Sequence, residues 1–249
     1  MSDMQQDREM VTDRKTGMHR AVATLMIAAG ALSACSSAAD DAPLADSGQT
    51  SPSVATPSAT PADMGAVPLV PGRYAFTTWS DLDYTHQITM DVPSGWDGSG
   101  GNGHVIDKGP GQGISTWGGR NVYADPCAWI GTLLHPPAGS SVGGLVAALA
   151  AQKGRHATKP THVTVDGFTG TYMELTTPAG IDGLAGCDRG QYRSWVGRYT
   201  EPGQRDMLWI LDVDGSVPLV IDAALGAGST RQDRAERTQI VESTQIERL

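Results

Sequence analysis

The sequence predicts an α+β domain, mainly antiparallel sheet with helices packed on it, following a signal peptide and a disordered tether. Three observations predict it. Strand-like stretches are joined by short Asp-Gly turns, and two later segments carry helical periodicity. The first 69 residues read as leader and spacer rather than as core.

In the leader, Arg14, Lys15, His19 and Arg20 precede an uncharged run, Ala21–Ala31, built mostly of Ala, Leu, Met, Ile and Val. A basic flank, a short apolar run and small residues at its exit are the layout of a secretory signal, expected over residues 1–34. The apolar stretch is about 14 residues, short of the roughly 20 that a permanent span needs. A start at Met10 or Met18 gives a cleaner basic flank, because Asp3, Asp7, Glu9 and Asp13 offset Arg8, Arg14, Lys15 and Arg20. Leu32-Ser33-Ala34-Cys35 resembles the bacterial lipobox. That resemblance implies that Cys35 is diacylated on sulfur and becomes the first mature residue. Two acyl chains give stable anchoring where one gives marginal binding, so the expected location is the extracytoplasmic face of the cell membrane.

Residues 35–69 form the expected tether. Pro43, Pro52, Pro57, Pro61 and Pro68 break helices and ladders, and large apolar side chains are sparse. As a flexible coil, about 34 residues reach roughly 30 Å. Residues 70–249 are then a single domain with room for a full core. The formal charge is −9 and there is no Lys/Arg run, which argues against nucleic acid as a partner.

Arg73–Thr78 and Tyr84–Val92 read as strands, the second ended by Pro93-Ser94-Gly95-Trp96. Asp97–Gly113 reads as loop, with a short strand at His104–Asp107, and Ile114–Thr116 and Asn121–Tyr123 as further strands. Ser141–Gln152 reads as a helix with Val142, Leu145, Val146 and Leu149 on one face and Ser140 or Ser141 as cap. His162–Val165, Asp166-Gly167 and Phe168–Leu175 form a hairpin pattern. Arg193–Tyr199 and Met207–Val213 read as strands, and Asp214-Gly215 turns into Pro218–Ala223. A helix is expected over Thr230–Ser243, capped by Thr230 and Asp233, before a short strand at Ile246.

Three phrases resemble PsbP-like α/β/α sandwiches: Ile88-Thr89-Met90-Asp91-Val92-Pro93-Ser94-Gly95-Trp96, Gly170-Thr171-Tyr172-Met173-Glu174-Leu175, and Ile240-Val241-Glu242-Ser243-Thr244-Gln245-Ile246. LpqN-type mycobacterial lipoproteins share that architecture and kind of leader. Val122-Tyr123-Ala124-Asp125-Pro126-Cys127-Ala128-Trp129 is similar to a stretch of uncharacterised actinobacterial exported proteins. The resemblance implies a fold and an address and carries no catalytic residues.

Of the three cysteines, Cys35 is assigned to lipid, leaving Cys127 and Cys187. A buried free pair and half a metal site are the rivals, but an even pair in an exported domain favours a disulfide. Such a bridge closes a loop of about 60 residues, worth ~4 kcal/mol in the chain-entropy model.

Catalytic and metal motifs are weak. Gly98-Ser99-Gly100-Gly101-Asn102-Gly103 lacks the following helix and Lys-Ser/Thr pair of a phosphate cradle. Asp212-Val213-Asp214-Gly215 lacks the first and closing ligands of a calcium loop and reads as a turn. Neither H-E-x-x-H nor C-x-x-C occurs, and His86, His104, His135, His156 and His162 show no regular spacing. No cofactor or metal site is expected.

Six Trp stand against two Phe, and rings with an N–H suit both cores and half-open clefts. Trp209, between Leu208 and Ile210, reads as core, and Trp129 and Trp195 lie near the cysteines in sequence. Trp117, beside Gly118-Gly119, is the expected exposed ring. Trp96 and Trp117 bracket the Gly98–Gly113 loop and mark a candidate binding surface. The expected function is a non-enzymatic binding or accessory module of the envelope. Its partner is an envelope protein or small ligand. The alternative is an exported hydrolase.

Overall fold

The computed structural model describes residues 67–248 apart from 77, 79–85, 100–104, 119–120, 181–183, 214 and 216. The leader, Cys35, residues 36–66 of the tether, Trp79 and His104 therefore lie outside the described residues.

The described residues form a mostly antiparallel β structure with two α-helices. A nine-stranded sheet is built from β1 (Val67–Pro68), β4 (Asp97–Ser99), β5 (Val105–Gly109), β6 (Gln112–Gly118), β13 (Leu219–Leu225), β12 (Arg205–Leu211), β9 (Phe168–Thr176) and β7 (His156–Ala157), hydrogen-bonded in that order, with β8 (Thr161–Val165) also on β9. A three-stranded sheet runs β14 (Gln245–Arg248), β3 (His86–Val92), β2 (Gly72–Phe76). The hairpin β10 (Tyr192–Trp195) and β11 (Arg198–Thr200) stands apart from both. All these pairings are antiparallel.

The two faces of the large sheet bury different cores. On one, α2 (Arg231–Glu242) and the small sheet cover Trp96, Ile106, Ile114, Met207, Trp209, Ile221 and Ala223, with Ile88 and Met90 contributed from β3. On the other, α1 (Val142–Ala150) covers Met173, Leu175, Leu208, Ile210 and Val220 through Leu145 and Leu149. Because both faces are covered, β12 and β13 carry almost unbroken apolar runs rather than an alternation. Apart from the exposed Arg205 at the start of β12, the exceptions are Asp206 and Asp222, and both are buried.

Local chemistry explains most elements. Asp166 and Gly167 both adopt positive φ, +48° and +81°, as a tight two-residue hairpin between β8 and β9 requires. Gly170 is needed for a close approach: a Cβ there would lie 2.1 Å from the Ile210 carbonyl oxygen. Ser141 caps α1, accepting from Gly144 N–H. Thr230 and Asp233 form a full capping box on α2. Helix α2 is then tied to the sheet by Glu236, which accepts from Lys108 and from Trp96 Nε1, and by Arg234, which grips Glu174 with two nitrogens.

Several expectations need correction. Residues 97–113 are not mainly loop: β4, β5 and the start of β6 pair as a meander with a Gly109–Gln112 turn, and only 100–104 lie outside the described residues. Arg193–Tyr199 is not one strand, because Gly197 at φ +86° folds it into the β10–β11 hairpin. Asn121–Tyr123 makes only isolated bridges, Val122 to Trp195 and Tyr123 to Leu133. Sheet structure also starts before residue 70: Pro68 pairs with Asp97, and Leu69 N–H donates to the Trp96 carbonyl.

Candidate functional site

The expected surface around Trp96 and Trp117 is not a surface. Trp96 is fully buried under α2, with Arg237 over its ring at 5.1 Å. Trp117 is 3% exposed, in the core of the opposite face, stacked on Trp195 with centroids 4.6 Å apart. Gly118-Gly119 suggested exposure for Trp117, but β6 is an inner strand whose face is covered by the β10–β11 hairpin. The two indoles occupy different layers and do not bracket one site.

Cys127 and Cys187 are bonded, as the sequence predicts. The bridge ties two loops, reinforced by Asp188 N–H on the Cys127 carbonyl and by Trp129 Nε1–H on the Asp188 carbonyl. Arg193 lies over the Trp129 ring at 4.3 Å. Trp129 thus packs beside the bridge, while Trp195 belongs to the Trp117 cluster.

The chemistry that stands out is a buried polar layer between β12, β13 and the hairpin. In the cross-strand register Asp222 lies opposite Ser115 on β6 and Leu208 on β12, and Asp206 lies opposite Ala224. Opposite residues share a face, so Asp206, Asp222 and Trp117 all point toward the hairpin side. Arg155 reaches this layer from the loop after α1. Its guanidinium donates to Asp206 Oδ2 at 2.6 Å, to the Leu175 carbonyl and to Ser194 Oγ of β10, and the side chains of both ion partners are fully buried. Gln204 donates to the other Asp206 oxygen, and Gln152 donates to the Tyr123 and Ser194 carbonyls. Thr177 and Thr200 share a hydroxyl hydrogen bond at 3.0 Å.

Asp222 is different. Its carboxylate is completely buried, and neither oxygen has a hydrogen-bond partner. Arg198 of β11 brings Nη2 to 3.5 Å from Oδ2, an ion pair too long for a good hydrogen bond, while Arg198 Nε and Trp117 Nε1 are also buried without partners. Burial pushes the Asp222 carboxyl up to about 7; the nearby Asp206 adds to this, and Arg198 and Arg155 oppose it. The Arg198 side chain is 23% exposed, so the pair runs from solvent into the core.

The sequence reading counts G-x-S-x-G as absent and takes Ser140 or Ser141 only as a helix cap, but Gly139-Ser140-Ser141-Val142-Gly143 has that nucleophile-elbow spacing. The structure supports the cap: a loop precedes Ser141, where an elbow needs a strand, and its Oγ is held by Gly144 N–H. Of the histidines, His86, His156 and His162 sit on three different strands and His135 on a loop, so the topology does not gather them. Asp222 itself escaped the sequence reading. Its signal is a carboxylate in the middle of Leu-Val-Ile-Asp-Ala-Ala-Leu, a place where charge is rare unless paired.

No family model matches the chain, and no curated protein matches it. Among solved structures it is similar to the solution structure of cyanobacterial PsbP (CyanoP) from Synechocystis sp. PCC 6803, at 15% identity and a TM-score of 0.35, covering 74% of this chain and 98% of that one.

Proposed function

We propose that this chain is a lipid-anchored envelope protein, held through Cys35 on the extracytoplasmic face, whose domain binds a ligand and catalyses no reaction. The finer fold reading, a PsbP-like sandwich of the LpqN type, rests on the phrases at residues 88–96, 170–175 and 240–246 and belongs to the same proposal. The leader supports the address, and the Cys127–Cys187 bridge supports an oxidising compartment. The observation that carries the binding reading is Asp222 with Arg198 and Trp117. A buried carboxylate and two buried N–H groups left without partners keep an unmet demand for hydrogen bonds, and a bound molecule satisfies such a demand.

Two measurements test this. Cell fractionation of wild type and Cys35→Ala should move the variant out of the membrane fraction; equal retention would mean that an uncleaved helix is the anchor. The purified chain should leave ester, peptide and glycoside libraries unchanged. Turnover that is lost in Asp222→Asn would replace the binding reading with the hydrolase.

A further inference from the structure

We propose that strand β11 is a pH-responsive flap: with Asp222 protonated it lies seated on the sheet, and with Asp222 ionised it swings away on Gly197 and Gly203 and lets water reach the carboxylate. This does not rest on the binding reading of the same residues, because protonation is a separate way to relieve a buried carboxylate. The two strands of the hairpin are held very differently. Strand β10 is bonded through its backbone to residues 121–126: Arg193 N–H donates to the Pro126 carbonyl, Val196 N–H to the Asn121 carbonyl, and Tyr123 N–H to the Ser194 carbonyl. Trp195 adds the stack on Trp117. Strand β11 pairs with β10 alone among the described residues. It is bounded by Gly197 at φ +86° and Gly203 at φ +74°, backbone conformations that glycine adopts without strain. It reaches the body of the domain through the Thr200–Thr177 hydroxyl bond and the Arg198–Asp222 ion pair, while Tyr199 between them is exposed.

Asp222 decides whether β11 stays down. Neither of its oxygens has a hydrogen-bond partner, and Arg198 approaches only to 3.5 Å. The charged groups facing it are Arg198 of β11, Asp206 of β12 and Arg155 from the loop after α1, while β6 and α1 carry no charged side chain. Arg155 is already engaged by Asp206 at 2.6 Å, which leaves Arg198 as the counter-charge of Asp222. An ionised carboxylate placed like this is poorly solvated. Burial outweighs the attraction of Arg198 and pushes the carboxyl up to about 7. Lifting β11 hydrates the group and returns it to the ordinary carboxylate range, so the closed form holds a proton that the open form releases. Opening therefore rises about tenfold per pH unit from that range up to 7 and is level above it, where both forms are ionised.

The test is hydrogen exchange of the full chain from about pH 5 to about pH 8.5, divided by intrinsic rates, on wild type, Asp222→Asn and Arg198→Gln. Peptides spanning β11 should be less protected than those spanning β12 and β13. In wild type their protection should fall about tenfold per pH unit up to 7 and then level off. Asp222→Asn should remove that fall. Arg198→Gln should carry it to higher pH, because the charge of Arg198 opposes the rise in the Asp222 carboxyl. This second variant keeps the test decisive if the first does not fold. Protection of β11 equal to that of β12 would mean that the strand moves only with global unfolding, and would overturn the flap. Protection independent of pH in wild type, an unchanged slope in Asp222→Asn, or levelling of Arg198→Gln at the wild-type pH would overturn Asp222 as its trigger.

Discussion

Trp117 of the large sheet and Trp195 of the β10–β11 hairpin stack with their centroids 4.6 Å apart and their planes inclined by 22°. This contact presses the hairpin onto the sheet. A two-stranded hairpin is marginal by itself in water, so its position depends on such side-chain anchors. Trp195→Ala and Trp117→Ala should each lower stability by about 3–5 kcal/mol. In a double-mutant cycle by denaturant unfolding, the two should couple by about 0.5–1.5 kcal/mol. Strict additivity would show that the stack contributes nothing beyond burial.

The Arg155–Asp206 pair has no exposure and is embedded in further hydrogen bonds to Ser194, Leu175 and Gln204. Removing one partner leaves an uncompensated buried charge, so Asp206→Leu or Arg155→Met alone should cost about 3–5 kcal/mol. The double variant should lose less than either single one, because it buries no orphan charge. Chemical denaturation of the three variants checks the order.

Asp222 gives a pH signature opposite to that of Glu174. Its folded pKa, about 7, lies above its ordinary value, so the native state holds a proton that the unfolded chain has released. The stability it contributes is fully present below the ordinary carboxylate range and is lost as pH rises through 7. Glu174 runs the other way. The Arg234 hydrogen bonds hold its pKa down, so its contribution is present at neutral pH and fades in acid. Melting curves from pH 4 to 8 should therefore show Asp222→Asn gaining on wild type as pH rises. A constant difference across that range would contradict the assignment.

The Cys127–Cys187 bridge closes a 60-residue separation across the segment that contains α1, β7, β8 and β9. Its replacement by two serines should cost about 2–5 kcal/mol at the guanidinium midpoint. Non-reducing peptide mapping of the native protein should find the two cysteines linked.

Elements with local chemistry were legible in the sequence. The two helices follow from periodicity and caps, and β8–β9 from its Asp-Gly turn. The disulfide followed from counting cysteines. What sequence reading missed depends on long-range pairing. Asp97–Ser99 becomes a strand because β1 and β5 flank it, and Gly-rich composition hides this. Trp117 looked exposed beside two glycines, but its burial depends on a hairpin about 80 residues away in sequence. Asp222 belongs to no spacing motif, because its unmet hydrogen-bond demand exists only in a packed interior.

Strand β13 sits between β6 and β12 and is synthesised near the end of the chain, at residues 219–225. Strand β3 has to wait longer still for its neighbour β14, at residues 245–248. During vectorial synthesis the first half of the domain therefore emerges without the strand that completes its sheet or the helix that covers it. Completion of both sheets therefore waits on strands from the final stretch of the polypeptide.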